Sequence, residues 1–133
     1  MYLQKTTISN KDYYYLLEAF IIVIYLSLET WYHVSFDKDY IYRNVEPPER
    51  EKWTDYLQWE DIIRICYHPG DFLETDELYI FTKEREESYL IPLEADGAQE
   101  LWGEILERKL FDAELAIKIM TKSDGLYCWP KED

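Results

Sequence analysis

The chain has 133 residues, enough for one domain around a single core, and its 47% hydrophobic content places it outside the disordered class. Fourteen Lys+Arg stand against 28 Asp+Glu, a net charge of −14. Such a surface repels phosphate backbones and steers basic proteins inward, so no nucleic-acid partner is expected.

The charge is unevenly placed. Residues 1–45 are near neutral, with four basic and five acidic groups, whereas residues 71–107 carry twelve acids and two bases. Aromatics are abundant, with 13 Tyr and 5 Trp. These side chains combine a large contact area with a polar handle and suit interfaces as well as cores.

In chain order, Ser9-Asn10-Lys11-Asp12 forms an S-x-x-D capping signature ahead of YYYLLEAFIIVIYLSL at 13–28. No basic region with a small-residue cleavage site accompanies this run. Its sixteen residues span roughly 24 Å as a helix, short of a ~30 Å hydrocarbon core, and Glu18 would be costly in lipid. The expectation for residues 1–30 is a buried apolar helix, with FIIVIY at 20–25 leaving a buried strand open; membrane association is not expected.

WYHVSFDKDYIYR, residues 31–43, predicts a hairpin turning at Asp37-Lys38-Asp39. EPPERE at 46–51 is a polar, proline-broken loop. Ile63, Ile65 and Tyr67 alternate with Arg64 and Cys66, which predicts a strand over 62–67 with a bent or bulged entry at Trp59 and Ile62. Further strands are predicted at 76–82 (DELYIFT) and 88–93 (SYLIPL). Glu84-Arg85-Glu86-Glu87 lies between them as a charged tip, and Pro92 marks a strand end or sheet edge.

Asp96-Gly97-Ala98-Gln99 reads as a D-x-x-Q helix opening. Ala98, Leu101, Trp102, Ile105 and Leu106 then form one apolar stripe, with Glu100, Glu104 and Glu107 on the outer face. Asp112 caps a second short helix, 113–121, with Leu115, Ile119 and Met120 inward. Ser123-Asp124-Gly125 turns into a last strand, 126–129, ended by Pro130. Trp59, Trp102 and Trp129 are assigned to the core, while Trp31 and Trp53 stay open. Strands followed by helices define an α+β class, here an antiparallel sheet with a packed helix near the C-terminus.

Candidate chemistry is sparse. CYHPGD, residues 66–71, gathers a thiol, an imidazole and a carboxylate, but Pro69-Gly70 is a turn signal, with proline presetting φ and glycine taking a positive φ. Cys66 and His68 share a strand face roughly 7 Å apart, too far for direct activation. His33 and His68 lie on different elements and show no metal-ligand spacing. No EF-hand loop, phosphate-binding loop or nucleophile elbow is present, and no cofactor or enzymatic activity is expected. Cys66 and Cys128 form no CxxC and fit no disulfide framework in a chain of this size, so both are read as reduced, packed thiols of a cytosolic protein.

The runs HVSFDKDYIYR, LQWEDIIRI, DELYIFT, SYLIPLEADGAQELWGEIL and FDAELAIKIM…LYCWP together resemble a widespread group of small bacterial proteins. That resemblance covers about 33–130 and implies a pleckstrin-homology-like sheet with a C-terminal helix. Some small acidic members are similar to immunity proteins, which neutralise toxins delivered between bacterial cells. Residues 1–30 depart from the pattern.

Two functions follow. The first is a non-enzymatic, cytoplasmic immunity protein whose acidic surface occupies the basic cleft of a toxin as a phosphate mimic. Its contact residues would be Glu74, Asp76, Glu77, Glu84, Glu86 and Glu87, exposed around the turn and the hairpin tip, with Tyr79 or Tyr89 as aromatic anchors. The alternative is a housekeeping module that forms a homodimer or binds a peptide or small ligand along the Pro92-marked edge.

Overall fold

Alternation of Tyr32, Val34 and Phe36 with His33 and Ser35 produces the first strand, β1 (Tyr32–Phe36). In this computed structural model, residues 28–71 and 74–131 are described. The apolar run predicted as a helix lies outside the described residues, save Leu28, which opens a 3₁₀ turn. Asp37 then makes the predicted turn by local chemistry: its Oδ1 accepts the backbone N–H groups of Asp39 and Tyr40 at 2.9 and 2.7 Å. The chain returns as β2 (Tyr40–Val45) and, after the proline loop, adds β3 (Trp53–Gln58). The three strands form one antiparallel sheet in the order β1-β2-β3.

A second antiparallel sheet holds β4 (Ile62–His68), β5 (Glu77–Thr82), β6 (Arg85–Pro92) and β7 (Tyr127–Trp129), in the order β6-β5-β4-β7. The bulged entry to β4 is present as a register shift between Ile62 and Arg64, which leaves Ile63 exposed. β6 begins three residues before its predicted start, so the tip shrinks to Lys83-Glu84, and Arg85, Glu86 and Glu87 stand on the strand.

The inner faces of both sheets meet in one core. Ile41, Leu57, Ile65, Leu78, Ile80 and Ile91 are buried there with Leu101 and Ile105 of the following helix, each contributing about 1.5–3 kcal/mol by leaving water. After β6 the chain folds back onto the outer edge of β1: Val34 N–H donates to the Asp96 carbonyl at 2.8 Å and Asp96 N–H to the Tyr32 carbonyl at 2.9 Å. Gly97 makes this approach possible. Its φ is 84°, and a Cβ there would lie 2.0 Å from the Val34 carbonyl oxygen.

Helix α1 (Ala98–Glu107) starts at Gly97, and the predicted D-x-x-Q box does not form. The Asp96 carboxylate instead meets the His33 Nδ1 at 2.9 Å, and Gln99 Nε2 donates to the Leu93 carbonyl at 3.1 Å. The apolar stripe of α1 faces the core as expected, with Trp102 packed between Tyr67 and Phe111. Helix α2 (Ala113–Ile119) has its predicted cap, Asp112 Oδ2 accepting the Leu115 N–H at 2.9 Å. Met120, expected inward, is 82% exposed because the helix ends one residue earlier. Trp59 is buried, whereas Trp129, assigned to the core, sits exposed on the short strand β7.

The two cysteines are not free thiols. β7 returns antiparallel to β4 with Cys66 opposite Cys128, and the pair forms a disulfide. Pro69-Gly70, predicted as a turn, lies in the irregular connection between β4 and β5, and the glycine is needed for space rather than for a positive φ. A Cβ on Gly70 would lie 2.3 Å from the Glu74 carbonyl oxygen and 2.7 Å from that of Thr75.

Candidate partner-binding surface

β5 separates the acidic residues named from sequence. Glu74 and Asp76 precede it and Glu84, Glu86 and Glu87 follow it, so the two groups stand about 17 Å apart along the strand. Asp76 is committed to its own loop, its Oδ1 accepting the Gly70 N–H at 2.7 Å and its Oδ2 the Tyr67 hydroxyl at 2.5 Å. Burial, reinforced by that carboxylate, pushes the Tyr67 hydroxyl well above its ordinary pKa.

Glu77 was expected on the surface, yet it is 0% exposed. It opens β5 between His68 of β4 and Pro92 of β6, and its carboxylate accepts the Tyr79 hydroxyl at 2.9 Å. A carboxylate so buried is held by hydrogen bonds and cannot also meet a partner. Tyr89 is likewise no protruding anchor. Its ring is buried, with the Arg43 guanidinium 5.2 Å and the Arg85 guanidinium 3.6 Å from its centre, and its hydroxyl donates to Glu84 at 3.2 Å. Glu74 and Tyr79 are half-buried. Glu84, Glu86 and Glu87 are exposed together at the β5–β6 hairpin.

The two bases of residues 71–107 offset the charge of that hairpin only in part. Lys83 reaches Asp61 at 3.5 Å. Arg85 stacks on Tyr89 and donates to the main-chain carbonyls of Glu87 and Ser88 at 2.9 and 3.0 Å. Beyond the hairpin, Glu94, Glu100 and Glu107 are also exposed.

The outer face of the three-stranded sheet is a surface that sequence reasoning missed. It presents His33 and Ser35 from β1, Tyr40, Tyr42 and Asn44 from β2, and Thr54, Tyr56 and Gln58 from β3, all exposed or half-buried. The Tyr40 ring lies 5.9 Å from Tyr42 and 5.4 Å from Tyr56. The Tyr42 hydroxyl donates to Asp37 Oδ2 at 2.7 Å. That bond, with the two backbone N–H groups, holds the Asp37 carboxyl below its ordinary range, and the Tyr42 phenol is pushed up to about 12. A shallow concavity of about 540 Å³ opens between Tyr42 and Tyr56. The repeated Tyr of YIY was visible in the sequence, but its partner Tyr56 lies on β3, a strand the pattern did not reveal.

The Pro92-marked strand is an edge of its sheet, as predicted. At Leu90, however, its carbonyl already accepts bonds from the Tyr32 hydroxyl at 2.6 Å and Arg43 Nη1 at 2.8 Å. Among the described residues, no three His, Cys, Asp or Glu side chains converge to hold a metal ion, and no helix is long and apolar enough to cross a membrane. His68 Nδ1 lies 2.6 Å from the Gly125 carbonyl oxygen. No protein-family model, curated protein or solved structure matches this chain.

Proposed function

We propose that this chain is a non-enzymatic binding protein of the immunity type, whose acidic surface covers the basic cleft of a toxin domain. The observation that carries the reading is the unbalanced hairpin. Glu84, Glu86 and Glu87 are exposed, while the neighbouring cations Lys83 and Arg85 are turned to Asp61 and to main-chain carbonyls. A patch whose acids outnumber its cations, three to two at the hairpin and twelve to two over residues 71–107, attracts a basic protein and accelerates encounter. The pleckstrin-homology-like architecture belongs to the same reading. Antiparallel sheets of three and four strands with a helix near the C-terminus support it, while β7, which follows the helices, departs from a simple sheet-then-helix order.

Growth provides the test. The reading predicts that a gene beside this one encodes a secreted protein ending in a basic toxin domain. Cells expressing that domain should survive only when this chain is co-expressed. Death despite co-expression of folded protein would contradict the reading.

A further inference from the structure

We infer that the outer face of β1-β2-β3, centred on Tyr40, Tyr42 and Tyr56, is a docking surface for arginine side chains of a basic protein partner. The inference rests on the basic-partner reading and adds a site to it, distinct from the β5–β6 hairpin.

Composition is the first argument. None of the eight outward-facing residues is Asp, Glu, Lys or Arg, in a chain whose residues are 32% charged. A sheet face turned to water ordinarily mixes polar with charged side chains, which keeps it soluble. Loss of charge with gain of Tyr is instead the signature of an interface centre, and Tyr set among Ser and Asn is the make-up of antibody-type binding surfaces, because tyrosine offers large, rigid contact at small entropic cost.

The second argument is a pattern that this fold uses repeatedly. Arg43 lies 4.8 Å from the Trp53 ring centre and pairs with Asp55 at 2.6 Å. Arg108 lies 3.8 Å from the Trp59 ring centre and pairs with Glu104 at 2.9 Å. In each, an aromatic ring and a carboxylate hold one guanidinium. Tyr42 and Asp37 present the same combination on the outer face. Among the described residues, no guanidinium lies over Tyr40, Tyr42 or Tyr56.

Charge selects the occupant. Asp39 and Glu60 line a concavity at one end of the face beside Asp37; of the two cations there, Lys38 reaches Asp39 at 3.6 Å and Arg108 pairs with Glu104 at 2.9 Å, which leaves the acids in excess. Arginine is favoured over lysine because its planar guanidinium stacks on the rings while donating to a carboxylate.

The test uses an octa-arginine peptide as probe, with octa-lysine as control, on the full chain at about 20 mM salt, a screening length long enough to keep the attraction. Two-dimensional amide NMR should show shifts concentrated on β2 and β3, and octa-arginine should bind more tightly than octa-lysine. Tyr56→Ala, at a side chain 61% exposed and so dispensable for folding, should weaken octa-arginine about five-fold. Thr54→Lys, also exposed, should weaken it by repulsion. Shifts confined to Glu84–Glu87 with Tyr56→Ala unaffected would overturn the tyrosine face and leave the basic-partner reading standing. Binding of neither peptide would overturn both.

Discussion

Arg43 of β2 donates from Nη1 to the main-chain carbonyl of Leu90 on β6 at 2.8 Å, tying the two sheets together through a buried cation. The same guanidinium makes a two-pronged pair with Asp55 of β3, at 2.9 Å from Nε and 2.6 Å from Nη2, and donates from Nη1 to the Tyr32 hydroxyl oxygen at 3.2 Å. Burial opposes its charge, but the Asp55 bond and the neighbouring Tyr32 and Asp55 outweigh it and raise its pKa, so the group stays charged. One side chain thus occupies the Leu90 carbonyl on the edge of β6.

Removing that cation takes the two-pronged donor from Asp55 and leaves the Leu90 carbonyl with the Tyr32 hydroxyl alone of the two donors described. Arg43→Ala should cost about 3–5 kcal/mol in urea unfolding, the range for breaking a buried ion pair from one side. Arg43→Lys should recover only part, since an ammonium cannot make the two-pronged contact. A loss under about 1 kcal/mol would show that the sheets do not depend on this contact.

Gly97→Ala should cost about 2 kcal/mol or more, read by thermal unfolding. It combines a left-handed backbone with a Cβ 2.0 Å from the Val34 carbonyl oxygen. Gly103 is the control: a Cβ there meets nothing within 4 Å, and Gly103→Ala in an exposed helix position should be neutral or stabilising.

The disulfide fastens β7, a three-residue strand, to β4 across 62 residues of chain. Replacing both cysteines by serine should lower stability by about 4 kcal/mol by the chain-entropy rule. Hydrogen exchange should then speed at Tyr127–Trp129 well before β5 and β6. Unchanged protection of β7 in the double variant would show that backbone pairing alone holds it.

Asp37 and Tyr42 give the tyrosine face a pH signature. The Asp37 carboxyl is held below its ordinary 3.8, first by the Tyr42 hydroxyl, so its contribution is present above that value and lost as pH falls through the lower folded pKa. Tyr42 is raised from 10.0 to about 12 by the same bond, so its contribution is present below 10 and lost as pH rises through about 12. NMR titration of the Tyr42 ring carbon bearing the hydroxyl should show a midpoint near 12 that falls toward 10 in Asp37→Ala. A midpoint unmoved by Asp37→Ala would remove this bond as the cause.

Much of the second sheet was legible because its strands carry continuous apolar residues, as in Leu78–Phe81; the alternation read over β4 located the strand but counted Ile63 with Ile65, and the bulge turns Ile63 outward while Cys66 is buried. β3 was not. Its inward positions are Trp53, Asp55 and Leu57, and Asp55 looks wrong for a buried face until Arg43 is seen opposite it. A missed β3 hid the tyrosine face, since Tyr42 and Tyr56 become neighbours only through the β2–β3 register. The disulfide depends on a strand returning antiparallel across the intervening helices, and local pattern carries no information about that. Glu77 misled in the opposite sense: a carboxylate in an acidic stretch reads as solvated, but its place between His68 and Pro92 encloses it.

Salt-dependent association kinetics test the central claim most directly. The basic toxin domain should bind this chain at a rate that falls steeply with added salt, and Glu84→Lys, Glu86→Lys and Glu87→Lys together should slow it about ten-fold at low salt. An association rate indifferent both to salt and to the triple variant would contradict the claim that the acidic hairpin meets a positively charged protein.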